Sequence, residues 1–136
     1  MKTVADIMVS PVVTVKPQDS LHDVLTLCQR RQIRHLPVVE NEKLMGIVTD
    51  RTLRQASTHP AVYDLLLDLL ASLDRGAVEQ IMVREVVTVT PNTPVREAAR
   101  LMRERNIGCL PVVNGGKVIG MVTTSDLLAL LSAQDA

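Results

Sequence analysis

One phrase in this chain occurs twice. "IMVSPVVTVKP", beginning at Ile7, returns as "IMVREVVTVTP", beginning at Ile81. "RQIRHLPVV" returns as "RNIGCLPVV", and "KLMGIVT" as "KVIGMVT". The offset holds at about 74 residues without a gap, which makes the chain an internal duplication. Whatever one copy builds, the other must be able to build again.

Each copy predicts the same order of elements. Val12–Val15 and Val86–Val89 are short β-branched runs ending at Pro17 and Pro91, and they read as strands. A helix follows in each. Leu21, Val24, Leu25 and Cys28 recur at i, i+3, i+4, i+7, matched by Val95, Ala98, Ala99 and Met102. Ser20, and Thr93 or Pro94, supply the helix starts. "HLPVV" and "CLPVV" read as buried strands. The turns "ENEK" and "NGGK" join each to a second strand, and a closing helix follows Thr49 and Thr123. Short helical lead-ins at Thr3–Met8 and Ala77–Met82 precede the copies.

The expected fold class is therefore α+β: two tandem βαββα repeats in pseudo-twofold contact, with two equivalent clefts at their seam. About 50 residues bury too little apolar surface to stand alone, so the copies are expected to pack on each other. The boundaries read as repeat 1 over 1–56, a connecting segment over 57–76 and repeat 2 over 77–136. In the connection Val62, Leu65, Leu66, Leu69, Leu70 and Leu73 recur at helical spacing, and Gly76 suits a C-terminal cap. This amphipathic helix packs on the module or forms a dimer contact.

Composition narrows the function classes. Formal net charge is zero, which argues against broad nucleic-acid affinity through counterion release. Arg30, Arg31, Arg34, Arg51 and Arg54 form a local basic bias, which reads as solvated helix faces or as a phosphate or nucleic-acid patch. Tyr63 is the sole aromatic residue, so a planar ligand would lie against aliphatic groups and backbone. The start "MKTVADIMVS" lacks the apolar core of a signal peptide, and "AVYDLLLDLLASL" is too short for a bilayer. A cytoplasmic protein without membrane insertion is expected. Cys28 and Cys109 form no CxxC, and His22, His35 and His59 lack ligand spacing, so no metal site is expected. No nucleophile, base and orienting group converge, so neither catalytic residues nor enzymatic activity are expected.

The phrase "VTTSD" carries two readings. Thr123 ends a strand and opens a helix, and Asp126 three residues on can bond back as a capping box. The same helix start offers free N–H groups to a phosphate, and Asp126 can accept bonds from the two hydroxyls of a ribose. The earlier copy, "VTDRT", has Thr52 where Asp126 stands.

Taken in order and occurring twice, the "IM…V-x-TV-x-P" lead-in, the "LPVV" strand and the "G-x-V-T" tail resemble a pair of cystathionine-β-synthase (CBS) domains, a Bateman module. The resemblance covers nearly the whole chain except the connecting segment and the last few residues. It implies a non-catalytic regulatory module that binds adenosine-containing ligands such as AMP, ATP, NAD or S-adenosylmethionine and commonly dimerises. It also implies that a cleft takes its tail from one copy and its lead-in and first strand from the other. The primary cleft would then use Thr123, Ser125 and Asp126 with Met8, Val12 and Val13, with Arg34 and His35 nearby. The secondary cleft would use Thr49, Asp50, Arg51 and Thr52 with Met82, Val86 and Val87, and Gly108 and Cys109 replace the Arg34–His35 pair there. Thr52 departs from the family's usual aspartate, which makes the clefts unequal. An effector protein encoded separately is implied, and whether Mg²⁺ accompanies a bound polyphosphate is left open. The rival readings are a nucleic-acid-binding module and a ligand-free dimerisation scaffold.

Overall fold

The lead-in of each repeat is built into the body of the other. In the computed structural model, which describes residues 2–49 and 76–134, the chain forms two compact units. One lies within Val13–Glu85; the other joins Met1–Val12 to Val86–Ala136. The units thus cut across the repeat boundaries.

The first unit holds helix α2 (Leu21–Arg31) and strands β1 (His35–Glu40) and β2 (Lys43–Thr49), followed by a 3₁₀ turn at Val78–Gln80. The second holds helix α1 (Val4–Ile7), helix α3 (Val95–Arg105), strands β3 (Cys109–Asn114) and β4 (Lys117–Thr123), and helix α4 (Thr124–Gln134). This mixture of helices and antiparallel hairpins is the α+β architecture expected.

The exchange repeats bond for bond. Val4 N donates to Thr93 O at 2.8 Å and Ala5 N to Pro91 O at 3.1 Å; Val78 N donates to Asp19 O at 2.9 Å and Glu79 N to Pro17 O at 3.0 Å. The first helical N–H of α3, on Val95, donates to Lys2 O, as that of α2, on Leu21, donates to Gly76 O. A helix start leaves such N–H groups without partners, and here the lead-in backbone supplies them. Ser20 caps α2 by accepting from Asp23 N, whereas Pro94 occupies the cap position of α3 without a side-chain bond.

Both helices present the apolar face that their spacing predicts. Leu21, Val24 and Leu25 of α2 are buried, as are Ala98 and Met102 of α3. Each unit closes over its own apolar cluster: Val15, Leu36, Val38, Val48, Val78 and Met82 in one, Val4, Val89, Leu110, Val112 and Val122 in the other. Val78 belongs to the first cluster and Val4 to the second, so each core contains a residue from both repeats.

The first strand of each βαββα copy is present but reduced to one parallel bridge, at Val15 and at Val89. Val15 N donates to Pro37 O and Val39 N to Val15 O; Val89 bridges Pro111 and Val113 in the same way. Proline explains both limits. Extending this parallel ladder toward Val13 would need an N–H on Pro37, and extending it past Val15 would need one on Pro17. Neither exists, and Pro111 and Pro91 impose the same limits on the second copy. The second lead-in helix is also shorter than expected, a single 3₁₀ turn. Thr3 N of α1 meets the Asp6 carboxylate at 2.8 Å, and that bond, the largest influence on the group, holds Asp6 below its ordinary pKa. Ala77 N meets only the neutral Gln80 Oε1, at 3.2 Å. A charged acceptor makes the stronger cap. The connecting helix around Val62–Leu73 and the closing helix of the first copy fall outside the described residues.

Both hairpins turn through two residues at positive φ, Gly115 (60°) and Gly116 (84°) in one and Asn41 (51°) and Glu42 (69°) in the other. Glycine takes this conformation without penalty and asparagine with little; glutamate does not. Glu42→Gly is expected to raise stability by a few tenths to about 1 kcal/mol, because relief of the left-handed penalty exceeds glycine's extra unfolded-state entropy. Thermal unfolding followed by circular dichroism checks this.

Candidate functional site

The head of α4 brings together the tail residues that the sequence singles out. Strand β4 ends at Thr123 and the helix begins at Thr124. Asp126 lies in its first turn and reaches back, with Oδ2 accepting from Thr123 N at 2.8 Å and from Thr123 Oγ1 at 3.2 Å. The capping reading is therefore present in the structure. It engages one carboxylate oxygen. Among the described residues Oδ1 accepts no hydrogen bond, and the half-buried carboxylate keeps that oxygen for another donor. Ser125 is exposed beside it.

The same unit supplies the lead-in residues Met8 and Val12, both partly buried. Met8 packs over Gly120, where an added Cβ would come within 2.5 Å of its sulfur. Val9, next to it, is bonded in both directions to Met121, at 2.9 and 3.1 Å. Ile7 of α1 and Leu127 of α4 pack against one cluster, so lead-in and helix share a support.

Other predicted residues divide between the units. Val13, exposed Arg34 and His35 belong to the unit within Val13–Glu85, as do Thr49 and Met82. Met82 packs over Gly46 as Met8 does over Gly120. His35 pairs with Thr49 across the β1–β2 hairpin. Val86, Val87, Gly108 and Cys109 belong to the other unit. There Cys109 pairs with Thr123, and Gly108 O accepts from Thr124 N at 3.1 Å and from Thr124 Oγ1 at 3.3 Å. Gly108 and Cys109 thus border the Thr123–Asp126 cap within one unit. Asp50, Arg51 and Thr52 fall outside the described residues, as do Arg54 and His59.

Burial pushes the Cys109 thiol up to about 12, so it stays protonated at neutral pH and serves as packing rather than as a nucleophile. Among the described residues no three His, Cys, Asp or Glu side chains gather to hold a metal ion, and no helix is long and apolar enough to cross a membrane. Three contributors escaped the sequence reading: Gly46 and Gly120, whose missing side chains admit the methionines, and Ser10, whose Oγ donates to Ile119 O at 2.8 Å. The glycines left a signal, since both copies carry one at the same place before the "V-T" pair. Ser10 left none, because its counterpart is Arg84.

Comparison with known proteins gives a consistent picture. The CBS domain family model matches residues 4–59 and again 78–133. A CBS domain-containing protein of Dictyostelium discoideum is 42% identical over 130 residues, covering 94% of this chain and 90% of that protein. Homoserine O-acetyltransferase of Methanohalobium evestigatum is 32% identical over 130 residues, but these make up 24% of the enzyme. Among solved structures, CBSX2 in complex with AMP is 30% identical with a TM-score of 0.81, each chain covered to 100%. The CBS domain pair of protein MJ0100, in complex with 5′-methylthioadenosine and S-adenosyl-L-methionine, is 27% identical with a TM-score of 0.79, each chain covered to 98%.

Proposed function

The chain belongs to the CBS domain family, as a tandem pair of such domains, and from that premise we propose that it is a regulatory module sensing an adenosine-containing small molecule. The observation that carries this reading is the Asp126 carboxylate, anchored through Oδ2 to Thr123 and open at Oδ1. An anchored acceptor loses little side-chain freedom when a ligand arrives. A ribose offers two adjacent hydroxyl donors to such a group, and Met8 and Val12 offer aliphatic surface to the base. The AMP and S-adenosylmethionine held by the solved relatives support this ligand class.

The module itself performs no chemistry in this reading. It passes its ligand state to a separately encoded effector, and it associates as a homodimer. The cleft bearing Asp126 takes the nucleotide first. The one bearing Thr52 binds more weakly, because a hydrogen bond to a charged group is worth about 1.5–3 kcal/mol against about 0.5–1.5 for a neutral one.

Calorimetry with AMP, ATP, NAD and S-adenosylmethionine tests the reading. Asp126→Ala is expected to weaken the best ligand roughly tenfold. Asp126→Asn separates ligand binding from capping, since an amide oxygen still accepts from Thr123 N while the charge is gone. It is expected to keep most of the stability and lose most of the affinity. Unchanged affinity in both variants, or no ligand raising the melting temperature of the wild type, refutes the assignment.

A further inference from the structure

The segment Met8–Pro11 has one anchored end and one exposed end. Val4, just before it, is 0% exposed in the core, whereas Val9 is 55% exposed and Ser10 and Pro11 lie at the surface. What holds this strap to β4 is short: the two Val9–Met121 backbone bonds, the Ser10 Oγ bond to Ile119 O, and Met8 seated over Gly120. Ile119 is the extra residue of the β-bulge between the Val112 and Val113 pairings, so Ser10 satisfies a carbonyl at an irregularity of the hairpin. Few hydrogen bonds, on a segment whose own side chains at Val9, Ser10 and Pro11 are exposed, mark a stretch that opens without global unfolding. Beyond the strap the chain passes from Val12 directly to Val13, the first residue of the other unit.

We infer that this strap is the moving part of the sensor, a latch that closes on β4 when ligand binds at Asp126. The inference rests on the ligand reading above, in which Met8 of the strap and Val12 just beyond it share a ligand with Thr123, Ser125 and Asp126. A ligand touching both sets binds only the closed strap, and that differential affinity is what shifts the equilibrium. Closing the strap repositions the chain where it enters the other unit, so ligand state is passed along the backbone itself. The second lead-in lacks the hydroxyl clamp, because Arg84 replaces Ser10 and its guanidinium bonds Glu79 O instead.

Amide hydrogen exchange on the full chain, read residue by residue by NMR, tests this. Ser10→Ala is expected to speed exchange at Val9 and Met121 roughly fivefold by removing one hydrogen bond, and to leave Val4 unchanged. Gly120→Ala, which forces Met8 outward, is expected to act in the same direction. With AMP or S-adenosylmethionine at about 100 times its Kd, opening at Val9 and Met121 is expected to slow about 100-fold. If either probe binds and exchange there is unchanged, the latch is refuted while the sensor stands. If neither probe binds the wild type, the sensor falls and the latch with it. If Ser10→Ala folds and leaves Val9 exchange unaltered, the strap does not open locally and the inference is overturned.

Discussion

Val4→Asp is expected to destabilise the unit containing α3, β3, β4 and α4, although residue 4 belongs to the other repeat. Val4 is fully buried among Val89, Ala98, Met102, Leu110, Val112 and Val122. Its backbone N–H is held by Thr93 O, so the side chain has no simple route to solvent. A carboxylate at this place loses hydration and gains no partner, a cost of several kcal/mol that is large against the stability of a small domain. Denaturation followed by residue-resolved NMR distinguishes the outcomes. The expected result is loss of native signals from residues 86–134 before those of the unit within Val13–Glu85. If each repeat instead packed its own lead-in, α2, β1 and β2 would melt first. Val78→Asp is the reciprocal experiment, because Val78 is fully buried with Leu36, Val38 and Val48.

The residue pattern by itself does not disclose that exchange; only the resemblance to CBS pairs implied that a lead-in joins the opposite tail. Both lead-ins offer the same apolar contacts, Val4 and Met8 in one and Val78 and Met82 in the other. Both bodies offer the same receptors, an "LPVV" strand and a glycine at 46 or 120. Complementarity is degenerate, so pattern alone does not say which lead-in joins which body. The helices were legible because their apolar spacing is self-contained: Leu21, Val24 and Leu25 point one way whatever they meet. The hairpins were legible because glycine or asparagine at the turn satisfies a local backbone demand. The run at Val12–Val15 misled because β-branching signals an extended chain, whereas ladder length depends on donors in the partner, where Pro37 has none. At the candidate site, the Thr123–Asp126 bond was readable from a three-residue spacing. The Ser10 contact to Ile119 spans 109 residues and has no local signature.

Leu36→Ala and Leu110→Ala test whether the duplicated cores are energetically separate. Each leucine is 0% exposed, at the matching place in its own strand, and neither cluster contains a residue of the other. Truncating a buried leucine costs about 2–5 kcal/mol, the transfer term plus the cavity left behind. Among the described residues of both clusters the neighbours are mainly valines, β-branched and stiff at χ1, so the cavities relax little and a loss of about 3 kcal/mol is expected from each. Sites without shared partners add. The double variant is therefore expected to lose the sum within about 0.5 kcal/mol, measured by urea denaturation with both single variants as the other corners of the cycle. A double variant much less destabilised than the sum would mean that loss of one core already disables the other. Such a shortfall would show that the two clusters, which share no residue, are nonetheless coupled. Additivity is equally expected of one shared transition, so residue-resolved signals decide whether the units unfold together or apart.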